Sequence, residues 1–81
     1  MSENACAPSN REKMEAAVDG WCESARTHPN GKALAEARAE WLEDQLAALV
    51  NEPAPKHLIG LNAFDLANAR DRMSAVVVEL G

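Results

Sequence analysis

Three short polar residues, Ser9, Asn30 and Asn62, each stand directly before an alanine-rich run in which apolar residues recur every three or four positions. Residues of this type cap helix N-termini because their side-chain oxygens accept hydrogen bonds from the backbone N–H groups of the first turn. Glu12 and Asp65 follow Ser9 and Asn62 three positions later, which is the spacing of a capping box. The three signals therefore predict three amphipathic helices.

The helices are predicted over about residues 10–26, 32–50 and 63–79 of the 81-residue chain. The breaker segment 27–31 is short, so the first two helices should be antiparallel neighbours. The second connection contains Pro53 and Pro55, and its Leu58, Ile59 and Leu61 should tether it to one end of the bundle. The β-branched run 76–78 could form a strand, but no second strand candidate exists to pair with it. We predict an all-α fold, a small three-helix bundle made of a helical hairpin plus a third helix after the Pro-containing loop.

Each predicted helix has an identifiable apolar face, and that of the second helix is unusually wide. The first helix carries Met14, Ala17, Val18, Trp21, Cys22 and Ala25, and the third carries Leu66, Ala69, Met73, Val76, Val77 and Leu80. The second has one lobe of Leu34, Ala37, Trp41 and Ala48 and another of Ala35, Ala39, Leu42, Leu46, Leu49 and Val50. Such a helix should contact two neighbours. Trp21 and Trp41 should face each other, and replacement of Trp41 by Ala should cost about 3–5 kcal/mol.

The chain has 13 acidic and 8 basic residues, for a net charge of −5. This balance argues against direct binding to nucleic acid or to an anionic membrane, both of which require basic surfaces. Residues 1–8 are polar and read as a flexible tail, not a signal peptide, so that 9–81 form a single domain. No apolar run is long enough to span a bilayer. We expect a cytoplasmic protein whose few large apolar residues favour a partner or an oligomer.

Residues with the chemistry of metal ligands or nucleophiles are few and poorly spaced. Cys6, Cys22, His28 and His57 include no close pair of the kind that binds zinc. Cys22 lies on an apolar face and beside acidic residues, which is the wrong setting for a reactive thiolate. A disulfide between Cys6 and Cys22 is geometrically allowed but not expected in a chain that is not secreted. We expect no metal, no cofactor and no catalytic residue, and therefore no enzyme.

Two surfaces remain as candidates for binding a partner. The first is acidic and comprises Glu12, Glu15, Asp19 and Glu23 on the first helix with Glu36, Glu40, Glu43 and Asp44 on the second. If these helices pack as a hairpin, the acids lie on the flanks of one unit, which would complement a basic groove. The second is apolar and comprises Leu46 and Val50 on the second helix with Phe64, Ala67 and Val78 on the third. The competing interpretations are an ordinary solvated helix face for the acids and intramolecular cover for the apolar residues.

The sequence thus predicts a small acidic helical protein-binding module, an inhibitor or regulator of a larger protein that itself has a basic, nucleic-acid-binding groove. The alternative is a self-associating structural protein in which the second and third helices build a homodimer core. Small size, acidity and the lack of catalytic motifs are shared with phage-encoded anti-defence inhibitors. That comparison is one of type, and no motif of the chain carries it.

Overall fold

The computed structural model describes residues 9–81, which form three α-helices. They are α1 (Asn10–Thr27), α2 (Gly31–Leu49) and α3 (Ala63–Leu80), with a single 3-10 turn at Lys56–Leu58 in the connection between α2 and α3. No strand occurs within residues 9–81, and the run 76–78 lies inside α3. The all-α fold and the helix bounds are confirmed to within one residue. The predicted tail, residues 1–8, and Cys6 within it lie outside the described residues.

Two of the three predicted caps form as complete capping boxes. The Ser9 hydroxyl accepts from the Glu12 N–H at 3.2 Å, and the Glu12 carboxylate accepts from the Ser9 N–H at 2.9 Å. At the start of α3 the Asn62 side-chain oxygen accepts from the Asp65 N–H at 2.8 Å, and the Asp65 carboxylate accepts from the Asn62 N–H at 3.4 Å. Each box satisfies two donors that a helix N-terminus otherwise leaves unpaired.

The prediction that the Asn30 side chain caps α2 is wrong. Asn30 precedes α2 but makes no side-chain cap hydrogen bond, and its backbone (φ −109°, ψ 38°) is not in the extended conformation that positions a capping side chain. Its N–H donates to Nδ1 of His28 at 3.0 Å, and its carbonyl accepts from Leu34 at 3.1 Å. The local turn is therefore held by His28 and by the backbone.

Close approach of α1 and α2 at this turn requires a glycine. Gly31 is buried, and a Cβ there would overlap the carbonyl of Ala25, coming within 2.7 Å of the carbonyl carbon and 3.2 Å of Cδ1 of Leu80. The C-terminal ends of α1 and α3 thus meet the N-terminal end of α2 around a residue with no side chain. From the sequence, Gly31 is predicted only to be part of the helix-breaking segment 27–31.

The core lies between all three helices, and α3 contributes the most buried side chains. α3 packs most extensively against α2 and also contacts α1. The buried apolar residues all belong to predicted apolar segments, and they are Val18, Cys22, Ala25, Ala35, Leu42, Leu58, Leu66, Ala69, Met73 and Val76. Of the two lobes on α2, the one with Ala35 and Leu42 faces the core. α2 contacts both α1 and α3, as its wide apolar surface predicts.

The connection between α2 and α3 is tethered to the bundle as predicted, with one exception. Leu58 is buried and Leu61 is half-buried, whereas Ile59 points into solvent. The Asn10 side-chain amide donates to the carbonyls of Lys56 at 3.1 Å and Ile59 at 2.8 Å, which fixes the segment to the first turn of α1. These two hydrogen bonds were not foreseen, because they join residues far apart in sequence.

The two tryptophans meet as predicted, but at the edge of the core. Trp21 and Trp41 pack edge to face with ring centroids 5.6 Å apart. The guanidinium of Arg38 lies over the Trp21 ring, 4.7 Å from its centroid. Trp41 nevertheless keeps 39% of its surface exposed, so the predicted loss of 3–5 kcal/mol for its removal is too large.

Replacement of Trp41 by Ala should therefore lower the free energy of unfolding by about 2 kcal/mol, because only part of the ring's burial and its aromatic contact are lost. Chemical denaturation followed by circular dichroism measures this change. Leu42→Ala, at the fully buried position next to Trp41, is the internal comparison and should cost about 3–5 kcal/mol, clearly more than Trp41→Ala. Equal losses at the two positions would contradict the placement of Trp41 at the edge.

The same substitution should have opposite effects at two glycines. Gly20 is exposed within α1, and a Cβ there meets nothing within 4 Å, so Gly20→Ala should stabilise the protein by about 0.5–1 kcal/mol. Gly31→Ala must displace the Ala25 carbonyl and should destabilise by about 3 kcal/mol. Thermal melts of the two variants and of the parent chain show whether each substitution raises or lowers the melting temperature. A neutral Gly31→Ala would show that α1 and α2 do not approach as closely as described.

An ion pair joins the C-terminal ends of α1 and α3. Arg26 donates to the carboxylate of Glu79 at 2.9 and 3.3 Å, and this hydrogen bond, with the nearby positive charge, lowers the pKa of Glu79 below its ordinary value. The same contact raises the pKa of Arg26. A carboxyl whose pKa is lower in the folded state stabilises the fold above its unfolded pKa, and that contribution is lost as pH falls through the folded pKa.

Glu79→Gln should therefore lower the melting temperature slightly at neutral pH, and the difference from the parent chain should shrink as pH falls into the acidic range. Added salt should reduce the difference at neutral pH, since both groups are exposed. Glu52→Gln, in the exposed loop, is the matched control and should leave the melting temperature at neutral pH close to that of the parent chain. A difference that persists at low pH would mean that Glu79 acts through packing.

Candidate functional site

A shallow groove of about 420 Å³ runs between α2 and α3, and its rim is acidic. Glu36, Glu40 and Glu43 form the rim because residues four and three positions apart project from one side of a helix. Apolar side chains and Ser74 complete the lining, and the apolar ones are Ala39, Val77 and Val78. We call this surface the acidic groove.

The acidic groove keeps its negative charge. All three of its glutamates are exposed, and within residues 9–81 none takes part in an ion pair. Among the described residues, none that lines the acidic groove is basic. Like charges arranged along one cleft reinforce each other's potential and attract a basic partner. Asp44, the fourth acid predicted on α2, is exposed but does not line the groove.

The acids of α1 differ from those of the acidic groove, because several of them form ion pairs or hydrogen bonds within the protein. Glu12 completes the cap of α1, and Glu15 lies 3.8 Å from the guanidinium of Arg11. Asp19 accepts from Arg72 of α3 in a close ion pair, while Glu23 is simply exposed. The α1 stripe is thus partly neutralised at the seam between α1 and α3.

The two acidic sets do not form one continuous surface. On α3, Arg72 faces the acids of α1, whereas Val77 and Val78 lie beside those of α2. α3 therefore stands between the two sets. A partner that contacts the acidic groove would have to reach around α3 to contact the α1 stripe as well.

The predicted apolar candidates are also separated. Phe64 is 77% exposed and lines a small cleft with Arg11 at the seam of α1 and α3, while Val78 is 80% exposed beside the acidic groove. Fourteen residues of helix place them about 21 Å apart along α3. Leu46 is half-buried against the core, Ala67 is half-buried, and Val50 is exposed at the end of α2. Only Val78 coincides with the acidic groove.

Within residues 9–81, the cysteine and histidine side chains make contacts with other residues of the protein. Cys22 is buried, with its sulfur 3.5 Å from that of Met73. His28 accepts a backbone hydrogen bond in the turn before α2, and His57 hydrogen-bonds the side chain of Gln45. Across residues 9–81 no group of three His, Cys, Asp or Glu side chains is placed to hold a metal ion. None of the described helices is long and apolar enough to cross a membrane.

A second groove, of about 220 Å³, was not predicted. Trp21 and Trp41 form one side of it, and Leu58 and Leu61 from the tethered connection form the other. The sequence predicts that Trp21 and Trp41 face each other and that Leu58 and Leu61 tether the connection to one end of the bundle, but it does not bring the two pairs together. It missed the groove because the position of the connection depends on the Asn10 hydrogen bonds.

Comparisons with known protein families, with curated proteins and with solved structures found no match to this chain. The features of the protein that bear on its function are therefore the two grooves and the distribution of charge around them.

Proposed function

We propose that the protein is a non-catalytic binding module that contacts a basic surface of a larger protein through the face that carries the acidic groove. The observation that carries the proposal is the row of Glu36, Glu40 and Glu43, which is exposed and unneutralised within the described residues and borders an apolar floor. Its partner would be a protein with a positively charged surface, such as a groove that binds nucleic acid. Occupation of that groove would make the protein an inhibitor or regulator.

The two components of the groove would make different contributions to binding. The glutamates would steer a basic partner into place and raise its association rate, an effect that weakens with salt. Val77 and Val78 would take an apolar side chain of the partner and slow its dissociation, because burial of apolar surface provides the main part of binding energy. Charge alone would give a weak and unselective complex.

The homodimer hypothesis has less support. It assigned the second apolar lobe of α2 and the Phe64, Ala67 and Val78 flank of α3 to an interface between two chains, but Leu42 of that lobe is buried within one chain. The large apolar residues left exposed lie at separate places on the surface. A light-scattering mass in high salt tests this hypothesis directly, since a stable, salt-insensitive dimer would favour it over the binding module.

Charge reversal of the acidic groove should abolish partner capture without unfolding the protein. Glu36→Lys, Glu40→Lys and Glu43→Lys in one variant should leave helicity intact, since exposed acids contribute little to folding. Affinity capture from the native host, followed by a salt titration with the purified partner, measures the loss, which we expect to exceed about tenfold in affinity.

The matched control reverses Glu15, Asp19 and Glu23 on α1, which changes the net charge by the same amount. This variant should bind within about threefold of the parent chain. Equal losses in both variants would mean that net charge, and not the acidic groove, drives capture. A partner retained by the α2 variant but lost by the α1 variant would transfer the site to the α1 stripe and overturn the proposal.

A further inference from the structure

The groove beside Trp21 and Trp41, which we call the tryptophan groove, has the opposite electrostatic character to the acidic groove. Its lining includes Lys13, Met14, Leu58 and the two tryptophans, and among residues 9–81 none of the lining residues is acidic. In a chain with 13 acidic residues and 8 basic ones, this absence is a clear segregation of charge. Lys13 is its charged residue, and the guanidinium of Arg38 lies close by on the Trp21 ring.

The segregation follows from the spacing of residues on α1. Lys13, Ala17 and Trp21 are four positions apart and share one side of the helix, which turns toward the tryptophan groove. The acids Asp19 and Glu23 lie on another side, and Asp19 reaches toward α3. Among residues 9–81, those that line the tryptophan groove include no carboxylate, so a negatively charged ligand there would meet Lys13 without repulsion from the lining.

The walls of the tryptophan groove are held in place before any ligand arrives. The Asn10 amide fixes the Lys56–Leu58 turn, and His57 of that turn hydrogen-bonds Gln45 of α2. The two indoles brace each other edge to face on the opposite side. Fixed walls reduce the ordering cost of binding, which favours a defined ligand site over a loosely packed edge of the core.

We propose that the tryptophan groove binds a small amphipathic monocarboxylate. Its apolar chain would lie against Met14, Trp41 and Leu58, and its carboxylate would pair with the ammonium group of Lys13. The volume of about 220 Å³ is below the roughly 300–1,000 Å³ of sites for drug-sized ligands, so the chain would be of medium length. This site is separate from the acidic groove, and the inference does not depend on the proposed function.

Octanoate is a suitable probe, and the full chain reports on it directly, because both tryptophans line the groove. Titration with octanoate should produce a saturable change in tryptophan emission and a binding isotherm by calorimetry. 1-Octanol and octylammonium carry the same apolar chain with no charge or the opposite charge. Both should bind at least about fivefold more weakly, since they lose the charge-assisted contact with Lys13.

Lys13→Gln should weaken octanoate binding by about tenfold and leave octanol binding unchanged. Lys32→Gln, an exposed lysine outside the groove, is the matched control and should bind octanoate like the parent chain. Trp41→Ala should weaken both ligands, and Trp41→Phe is the substitute if the alanine variant does not fold. Circular dichroism of each variant checks the fold.

Three results would overturn the inference. The first is a fluorescence change with octanoate that does not saturate. The second is equal affinity for octanoate, octanol and octylammonium, which would leave an unselective apolar surface. The third is octanoate binding that is unchanged in Lys13→Gln, which would place the carboxylate elsewhere.

Discussion

Burial of one face of α3 between α1 and α2 is the interaction on which the rest of the molecule depends. Met73 at its centre is fully buried and meets Cys22 of α1, while Leu66 and Val76 on the same face are almost completely buried. A large buried apolar side chain contributes about 1.5–3 kcal/mol, and an 81-residue chain has few of them. Without α3, the apolar faces of the α1–α2 hairpin would be exposed to water. The two acidic sets, one on α1 and one on α2, lie on either side of α3.

The α1–α2 hairpin, against which α3 packs, is held in its arrangement by backbone contact and not by side-chain capping. At Gly31 the start of α2 approaches the Ala25 carbonyl too closely for any side chain, and the Arg26–Glu79 pair joins the neighbouring helix ends. The opposite end is fixed by Asn10, which binds the connection between α2 and α3. The two ends of the bundle are thus held by different means, and the grooves lie along the helices between them.

Charge is distributed unevenly on the surface of the helical bundle, and this distribution lowers the stability of the fold. Glu36 and Glu40 are four positions apart on α2 and repel each other, which destabilises a helix by about 0.2–0.5 kcal/mol for such a pair. The acids Glu15 and Asp19 on α1 avoid this cost, since each has an arginine partner. This acidic row on α2, which no ion pair within residues 9–81 neutralises, is the feature on which the proposed binding of a basic partner rests. Among residues 9–81, none of those that line the tryptophan groove is acidic, so the two grooves differ in charge.

The sequence by itself determined the elements and the composition of the core. Capping boxes at Ser9 and Asn62 are local, and a helical period shows which residues share a face, so both could be predicted without knowledge of the rest of the chain. The row of Glu36, Glu40 and Glu43 was recognisable for the same reason. Its surroundings were not, because Val77 and Val78 come from a helix more than thirty residues away.

Only the tertiary structure decided how those faces meet. It neutralised Asp19 of the α1 stripe, because Arg72 is brought beside it by the packing of α3. It also left Trp41 at the edge of the core and opened the tryptophan groove, because the Lys56–Leu58 turn is held in place by Asn10. Such contacts join positions far apart in sequence, and a helical pattern fixes which residues share a face but not which helix that face will contact.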